Sequence, residues 1–111
     1  MKKDQVTDGF MEFDIEKVEV LNNPEKNRFE VKIGAQLAQV DYMDRGALIV
    51  FTHTEVPSSL EGKGIASKMA RAALDYARES GKEVMPLCPY IAAFIRRHPE
   101  YQDLVMKGFK Y

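Results

Sequence analysis

The sequence predicts an α+β fold, in which an antiparallel β-meander runs into one β-α-β crossover and helices pack on the resulting mixed sheet. Three observations predict it. Phe29, Val31 and Ile33 alternate with Glu30 and Lys32, the period of a half-buried strand. Ala47 to Phe51 is apolar at every position, as in a strand covered on both faces. After Pro57 the period becomes helical, and Ile65, Met69, Ala72, Ala73 and Tyr76 fall on one face.

The elements follow in order. Residues 1–27 are the least defined: residues 1–9 read as a loose end, Phe10, Met11 and Phe13 are apolar, and Val18 to Leu21 reads as a short strand cut off by Asn22-Asn23-Pro24. Gly34-Ala35 makes a tight turn between the Phe29–Ile33 strand and a second strand, Gln36 to Met43, with Ala38, Val40 and Tyr42 on one face. Asp44-Arg45-Gly46 turns the chain into the apolar strand, which runs from Ala47 to His53. Strands joined by turns this short are antiparallel neighbours. The helix spans Ile65 to Ser80 and stops at Gly81. Ala66, Ala70, Ala73 and Ala77 form a small-residue stripe for close approach to the sheet, while Lys68, Arg71, Asp75 and Arg78 face water, with Arg71 and Asp75 at pairing distance along the helix. Lys82 to Leu87 is a strand placed to run parallel to Ala47–His53 through a right-handed crossover. A short helix begins at Ile91 and ends at His98-Pro99, and Tyr101 to Tyr111 carries a final turn or strand.

Composition bounds the function. The 111 residues are read as a single domain, and 16 basic against 17 acidic residues leave no surplus that argues for nucleic acid or an anionic membrane. No run approaches the roughly 18 apolar residues of a membrane span, and no apolar signal core follows the N-terminus, so a cytoplasmic location is expected. One cysteine, Cys88, allows no intrachain disulfide and no structural zinc set, so no metal is expected.

The chemistry concentrates in Ser59-Leu60-Glu61-Gly62-Lys63-Gly64-Ile65-Ala66, between strand and helix. A turn of this kind leaves backbone N–H groups free at a helix N-terminus, where the helix dipole favours anions. Spacing then sorts the phosphate loops. The triphosphate loop G-x-x-x-x-G-K-[ST] fails because Gly64 follows Lys63 and Pro57 stands five before Gly62. The dinucleotide fingerprint is weak because its third glycine position is Ser67. Gly62-Lys63-Gly64 does satisfy the glycines of [RQ]-x-x-G-x-[GA], the pyrophosphate loop of acetyl-coenzyme A-dependent acyltransferases, with Ser59 in the place of the leading Arg or Gln.

Around that loop stand His53-Thr54-Glu55-Val56, Leu60-Glu61-Gly62-Lys63-Gly64-Ile65-Ala66, Ala73-Leu74-Asp75-Tyr76-Ala77-Arg78, Cys88-Pro89-Tyr90-Ile91 and His98-Pro99-Glu100-Tyr101. In these motifs the sequence resembles the GNAT superfamily of N-acetyltransferases, and within it the small single-domain (YjdJ-type) GNAT-like proteins. The resemblance runs from Phe29 to Leu104. It implies a GNAT-like fold, acetyl-coenzyme A as co-substrate, and acetyl transfer to a primary amine of an unidentified acceptor. The pyrophosphate would be held by backbone N–H groups of Glu61 to Ala66. The cofactor-binding set it implies is Val56, Glu61, Gly62, Lys63, Gly64, Ile65, Ala66, Ser67, Cys88, Pro89 and Tyr90.

The catalytic candidates each have a plainer reading. Cys88 ends a strand beside a helix start, where a thiol can act as nucleophile or simply line the site. His53 or Glu55 could take the proton of an amine, or be a satisfied strand-end histidine and a solvated turn residue. Tyr90 lines the acyl pocket or belongs to the core. The long N-terminal helices that cover the acceptor in larger relatives have no counterpart here, so a coenzyme A-binding sensor or interaction module with little turnover is the competing reading. An uncovered meander edge leaves room for a monomer or a weak homodimer.

Overall fold

The computed structural model describes residues 14–111. Residues 1–9 and Phe10, Met11 and Phe13 therefore lie outside the described residues.

Five strands form one sheet in chain order: β1 (Leu21–Asn23), β2 (Arg28–Ile33), β3 (Gln36–Asp44), β4 (Leu48–Glu55) and β5 (Glu83–Pro86). β1 to β4 are antiparallel, and β5 pairs with β4 in parallel after the crossover through helix α1 (Ile65–Glu79). A second helix, α2 (Pro89–Arg97), follows β5, and a 3-10 segment over Pro99–Leu104 follows α2. The α+β mixed sheet is the one expected, and the differences lie at element ends.

The first strand is Leu21–Asn23 rather than Val18 to Leu21, and Ile15–Lys17 is a 3-10 turn capped by Asp14. The two asparagines hold strand geometry because their side chains find partners. The Tyr42 hydroxyl donates to Asn22 Oδ1 at 2.7 Å, and Asn23 Nδ2 donates to Glu30 Oε2 at 3.0 Å. Helix α2 begins two residues before Ile91, since proline at its first position lacks only an N–H that would be unpaired there.

One face of the sheet carries the core. Ile65, Met69, Ala70, Ala73, Leu74 and Ala77 of α1 are buried with Phe29, Val31, Ala38, Val40, Ile49 and Phe51. The alanines let the helix axis come close, and each fully buried Ile or Leu side chain contributes about 2 kcal/mol of transfer free energy. Ile91, Phe94 and Ile95 of α2 extend the same core.

The four α1 residues expected to face water all have structural partners. Lys68 Nζ donates to the carbonyls of Ile15 at 2.7 Å and Glu16 at 3.3 Å, fastening the N-terminal 3-10 turn to the helix. Arg78 forks onto Asp103 at 3.0 and 2.9 Å. Arg71 and Asp75 do not pair directly: the Tyr101 hydroxyl accepts from Arg71 Nη1 at 3.2 Å and donates to Asp75 Oδ1 at 2.7 Å.

The outer edges are short. β1 has three residues, and the tail covers part of β5, where Val105 bridges Val84 and Met106 N–H donates to Val84 O at 3.0 Å. No helix among the described residues is long and apolar enough to cross a membrane.

Candidate functional site

The site is assembled where β4 leaves the sheet. Past Glu55 the chain makes a 3-10 turn over Ser58–Leu60, and Glu61 to Gly64 then lead into α1. The turn is pinned by its own backbone, Leu60 N–H to Pro57 O at 2.8 Å, and by Ser59 Oγ donating to Gln36 Oε1 at 2.5 Å. Ser59 thus ties the loop to the start of β3.

Gly62 and Gly64 sit at φ +77° and +87°, the left-handed region in which a Cβ is unfavourable. Gly64 is also the N-cap residue of α1 and supplies no capping side chain. Among the described residues, the N–H groups of Gly62, Lys63, Gly64, Ile65, Ala66 and Ser67 have no hydrogen-bond acceptor, the first N–H to return to the helical pattern being Lys68 to Gly64 O at 3.0 Å. The Glu61 N–H, in contrast, is spent on Ser58 O at 3.3 Å. The run of donors is therefore 62 to 67, one residue later than the Glu61–Ala66 set the sequence implies.

These donors border a cleft of about 270 Å³ lined by Val56, Leu60, Glu61, Gly62, Gly64, Ala66, Ser67 and Tyr90. Seven of its eight lining residues belong to the expected cofactor-binding set; the eighth, Leu60, stands in the same loop motif but outside that set. Lys63, Ile65, Cys88 and Pro89 do not line it. Ile65 is 1% exposed and points into the core. Burial raises the Tyr90 phenol above its ordinary value, with Arg97 opposing and Cys88 reinforcing the shift. Tyr90 is protonated at neutral pH and offers a donor at the cleft wall.

Next to the cleft the sheet opens. β4 and β5 pair from Leu48 with Glu83 to Phe51 with Pro86, and the last bond between them is Cys88 N–H to Phe51 O at 2.9 Å. Thr52 to Glu55 then continue along β3 without β5. At the same level β4 holds one extra residue: Asp41 faces His53 while Tyr42 faces Phe51, so Thr52 is bulged out of register.

That bulge reverses the alternation of β4. Ile49 and Phe51 point into the core, but beyond Thr52 it is Thr54 that faces inward, while His53 and Glu55 emerge on the opposite face. His53 therefore does not close the strand, and Glu55 is its last residue rather than a turn residue. Their side chains are 58% and 66% exposed, with His53 Nε2 3.4 Å from Glu55 Oε1. Across the strand pair, Asp41 stands opposite His53 and Gln39 opposite Glu55, and Gln39 Nε2 donates to Asp41 Oδ1 at 2.8 Å.

Cys88 lies on the other side. It is 2% exposed, caps α2, and its Sγ is 3.1 Å from Thr54 Oγ1. The candidates thus divide between two faces: Cys88 and Thr54 inside, His53 and Glu55 outside, with the β4–β5 opening between them. Thr54, Asp41 and Gln39 were not singled out by sequence. The alternation of β4 predicts Thr54 on the outer face, and only the bulge turns it inward.

A β-meander entering a β-α-β crossover, with a free N–H cradle at the crossover helix and a splayed strand pair beside it, defines an acyltransferase-type fold. Residues 28–104 match the model of the GCN5-related N-acetyl-transferase family, and the chain belongs to that family. Protein NATD1 of Gallus gallus and Protein NATD1 of Mus musculus are each 32% identical to it over 90 residues, covering 78% of this chain and 82% of theirs. Protein NATD1 of Bos taurus is 39% identical over 57 residues, and there the match spans 50% of that protein. In fold, the chain is similar to a GCN5-like protein from Staphylococcus aureus solved by NMR, with a TM-score of 0.63 over 79% of this chain and 87% of that one at 24% identity.

Proposed function

We propose that the protein is an acetyl-coenzyme A-dependent N-acetyltransferase that acts on a primary amine. The observation that carries this reading is the cleft at Gly62 and Gly64 beside the β4–β5 opening: six consecutive N–H groups with no acceptor among the described residues fit a pyrophosphate, and the opening fits a pantetheine arm. The residues present fit the co-substrate. When bound, it would supply an activated thioester.

The chain's own groups would do the rest. Backbone donors of Gly62 to Ser67 hold the anion, and conformation matters there more than side-chain identity. Backbone groups of Thr52 to Glu55, released from β5, are free to orient the acyl arm and polarise its carbonyl. His53 or Glu55 takes the proton of the incoming amine on the outer face. Tyr90, protonated at the cleft wall, donates to the ligand. The amine attacks directly in this scheme, because Cys88 is buried and its thiol is engaged with Thr54.

Incubation with acetyl-coenzyme A and a panel of amines and peptides, read by release of free thiol, tests the reading. Release above the hydrolysis blank is expected with at least one acceptor. Coenzyme A binding without release on any acceptor would replace it with the sensor or interaction module. Turnover by Cys88→Ala is expected to equal that of the native chain, and loss of turnover in a folded Cys88→Ala protein would restore the covalent route.

A further inference from the structure

The sheet has a second face, and no described element covers it. On that face β3 and β4 present Gln39, Asp41, His53 and Glu55 as two directly opposed pairs at the mouth of the β4–β5 opening. The cross-strand neighbour of Asp41 on its other side is Arg28, but its guanidinium is turned onto Glu30 at 2.6 Å. Among the described residues no lysine or arginine pairs with Asp41 or Glu55. The mouth is therefore locally anionic in a chain whose net charge is only −1.

An apolar strip adjoins it. Met43, Val50 and Met85 are direct partners across β3, β4 and β5, and Leu87 follows at the end of β5. Met43 is 41% and Leu87 52% exposed, while Val50 between its two methionines is 4% exposed. Small polar amines are selected by enclosed pockets with convergent polar groups. An open face combining an anionic mouth with an apolar strip complements a larger cationic partner.

We propose that the acceptor is a lysine side chain within a polypeptide, bound on this outer face with its ammonium at Asp41 and Glu55 and neighbouring apolar residues along Met43, Val50 and Met85. The inference rests on the acetyltransferase reading for the transfer step. For its placement it rests on the surface alone. The protons balance: the ammonium gives up one proton to His53 or Glu55, the free amine attacks the thioester carbonyl, and as the C–S bond breaks the nitrogen's second proton passes to the departing thiolate, which leaves as thiol.

The test uses the full chain saturated with coenzyme A and a fluorescent heptapeptide with a central lysine flanked by leucines. Anisotropy is expected to show binding that weakens about fivefold in Asp41→Asn, the loss of roughly one exposed charge pair, and that weakens further when norleucine replaces the lysine. Thiol release from acetyl-coenzyme A is expected to show a higher kcat/KM for the peptide than for 1,5-diaminopentane, with Met85→Ser lowering only the peptide value. Equal kcat/KM for the two amines, or peptide affinity indifferent to Asp41→Asn, overturns the proposal. Peptide binding that depends on Asp41 but yields no thiol release supports the surface and overturns the transfer reading instead.

Discussion

Replacing Gly62 by alanine separates what the loop does for folding from what it does for the ligand. Gly62 holds φ +77°, and a Cβ built there meets nothing within 4 Å, so the substitution is strained without being crowded. The left-handed conformation costs an alanine about 1–2 kcal/mol. At a domain of this size, 1 kcal/mol lowers Tm by about 4–8 °C. Gly46 supplies the control: φ is +77°, its Cβ also meets nothing within 4 Å, and it lies in the β3–β4 turn, at the opposite end of β4 from the loop. Gly46→Ala and Gly62→Ala carry the same strain, and a thermal melt reads whatever part of it the folded chain retains. Their coenzyme A affinities should diverge. The strain is felt once: whatever part the free Gly62→Ala loop sheds by relaxing out of the left-handed region spares the melt and returns when binding restores the cradle, weakening Kd by up to about 5- to 30-fold for 1–2 kcal/mol. Titration calorimetry with coenzyme A reads that difference. Native affinity in a Gly62→Ala protein that also melts as the native chain does, or equal loss of affinity in both variants, would refute the assignment of Gly62 to Ser67 as the anion cradle.

Two further predictions concern the scaffold. Glu30 is 3% exposed, and its hydrogen bond from Arg28 holds its carboxyl below the ordinary value against the opposing effect of burial, with Asn23 and Lys32 reinforcing. A carboxyl depressed in the folded state contributes stability above its unfolded pKa, near 4.5, and loses it as pH falls through the folded value. Glu30→Gln should thus cost about 1–3 kcal/mol in urea unfolding at pH 7 and progressively less below pH 4.5; a constant penalty across that range would contradict the linkage. Tyr101→Phe removes the hydroxyl between Arg71 and Asp75, both of which can re-solvate, so a loss of about 1 kcal/mol is expected by the same assay and one above about 3 kcal/mol would show a larger role for the network.

Much of the fold is legible in the sequence because its elements carry clean periods. Phe29, Val31 and Ile33 gave β2 within one residue, and the helical spacing from Ile65 gave α1 with its C-terminal end one residue off. The reading failed where long-range partners decide. Asn22 and Asn23 look like strand breakers until Tyr42 and Glu30 are placed beside them. The apolar run at β4 reads as a strand covered on both faces, yet Val50 on the outer face is shielded by Met43 and Met85 of the neighbouring strands. The cradle glycines were legible because their spacing is local. The division of Cys88 and Thr54 from His53 and Glu55 was not, because it depends on register against β3 at Asp41 and Tyr42. Nothing within residues 48–55 marks Thr52 as the surplus residue.

The bulge at Thr52 makes β4 two half-strands of opposite parity. Up to Phe51, odd positions must be apolar and even ones are freer; from His53 onward, even positions meet the interior and odd ones meet solvent. Tolerance to substitution along the strand should show that change of phase at one residue. Deleting Thr52 would make Phe51–Tyr42 and His53–Asp41 consecutive regular pairs, so the bulge would vanish while His53 and Glu55 stayed outside and Thr54 inside. Pairing Thr52 in register instead would turn His53, Thr54 and Glu55 over together, which no single side-chain replacement does.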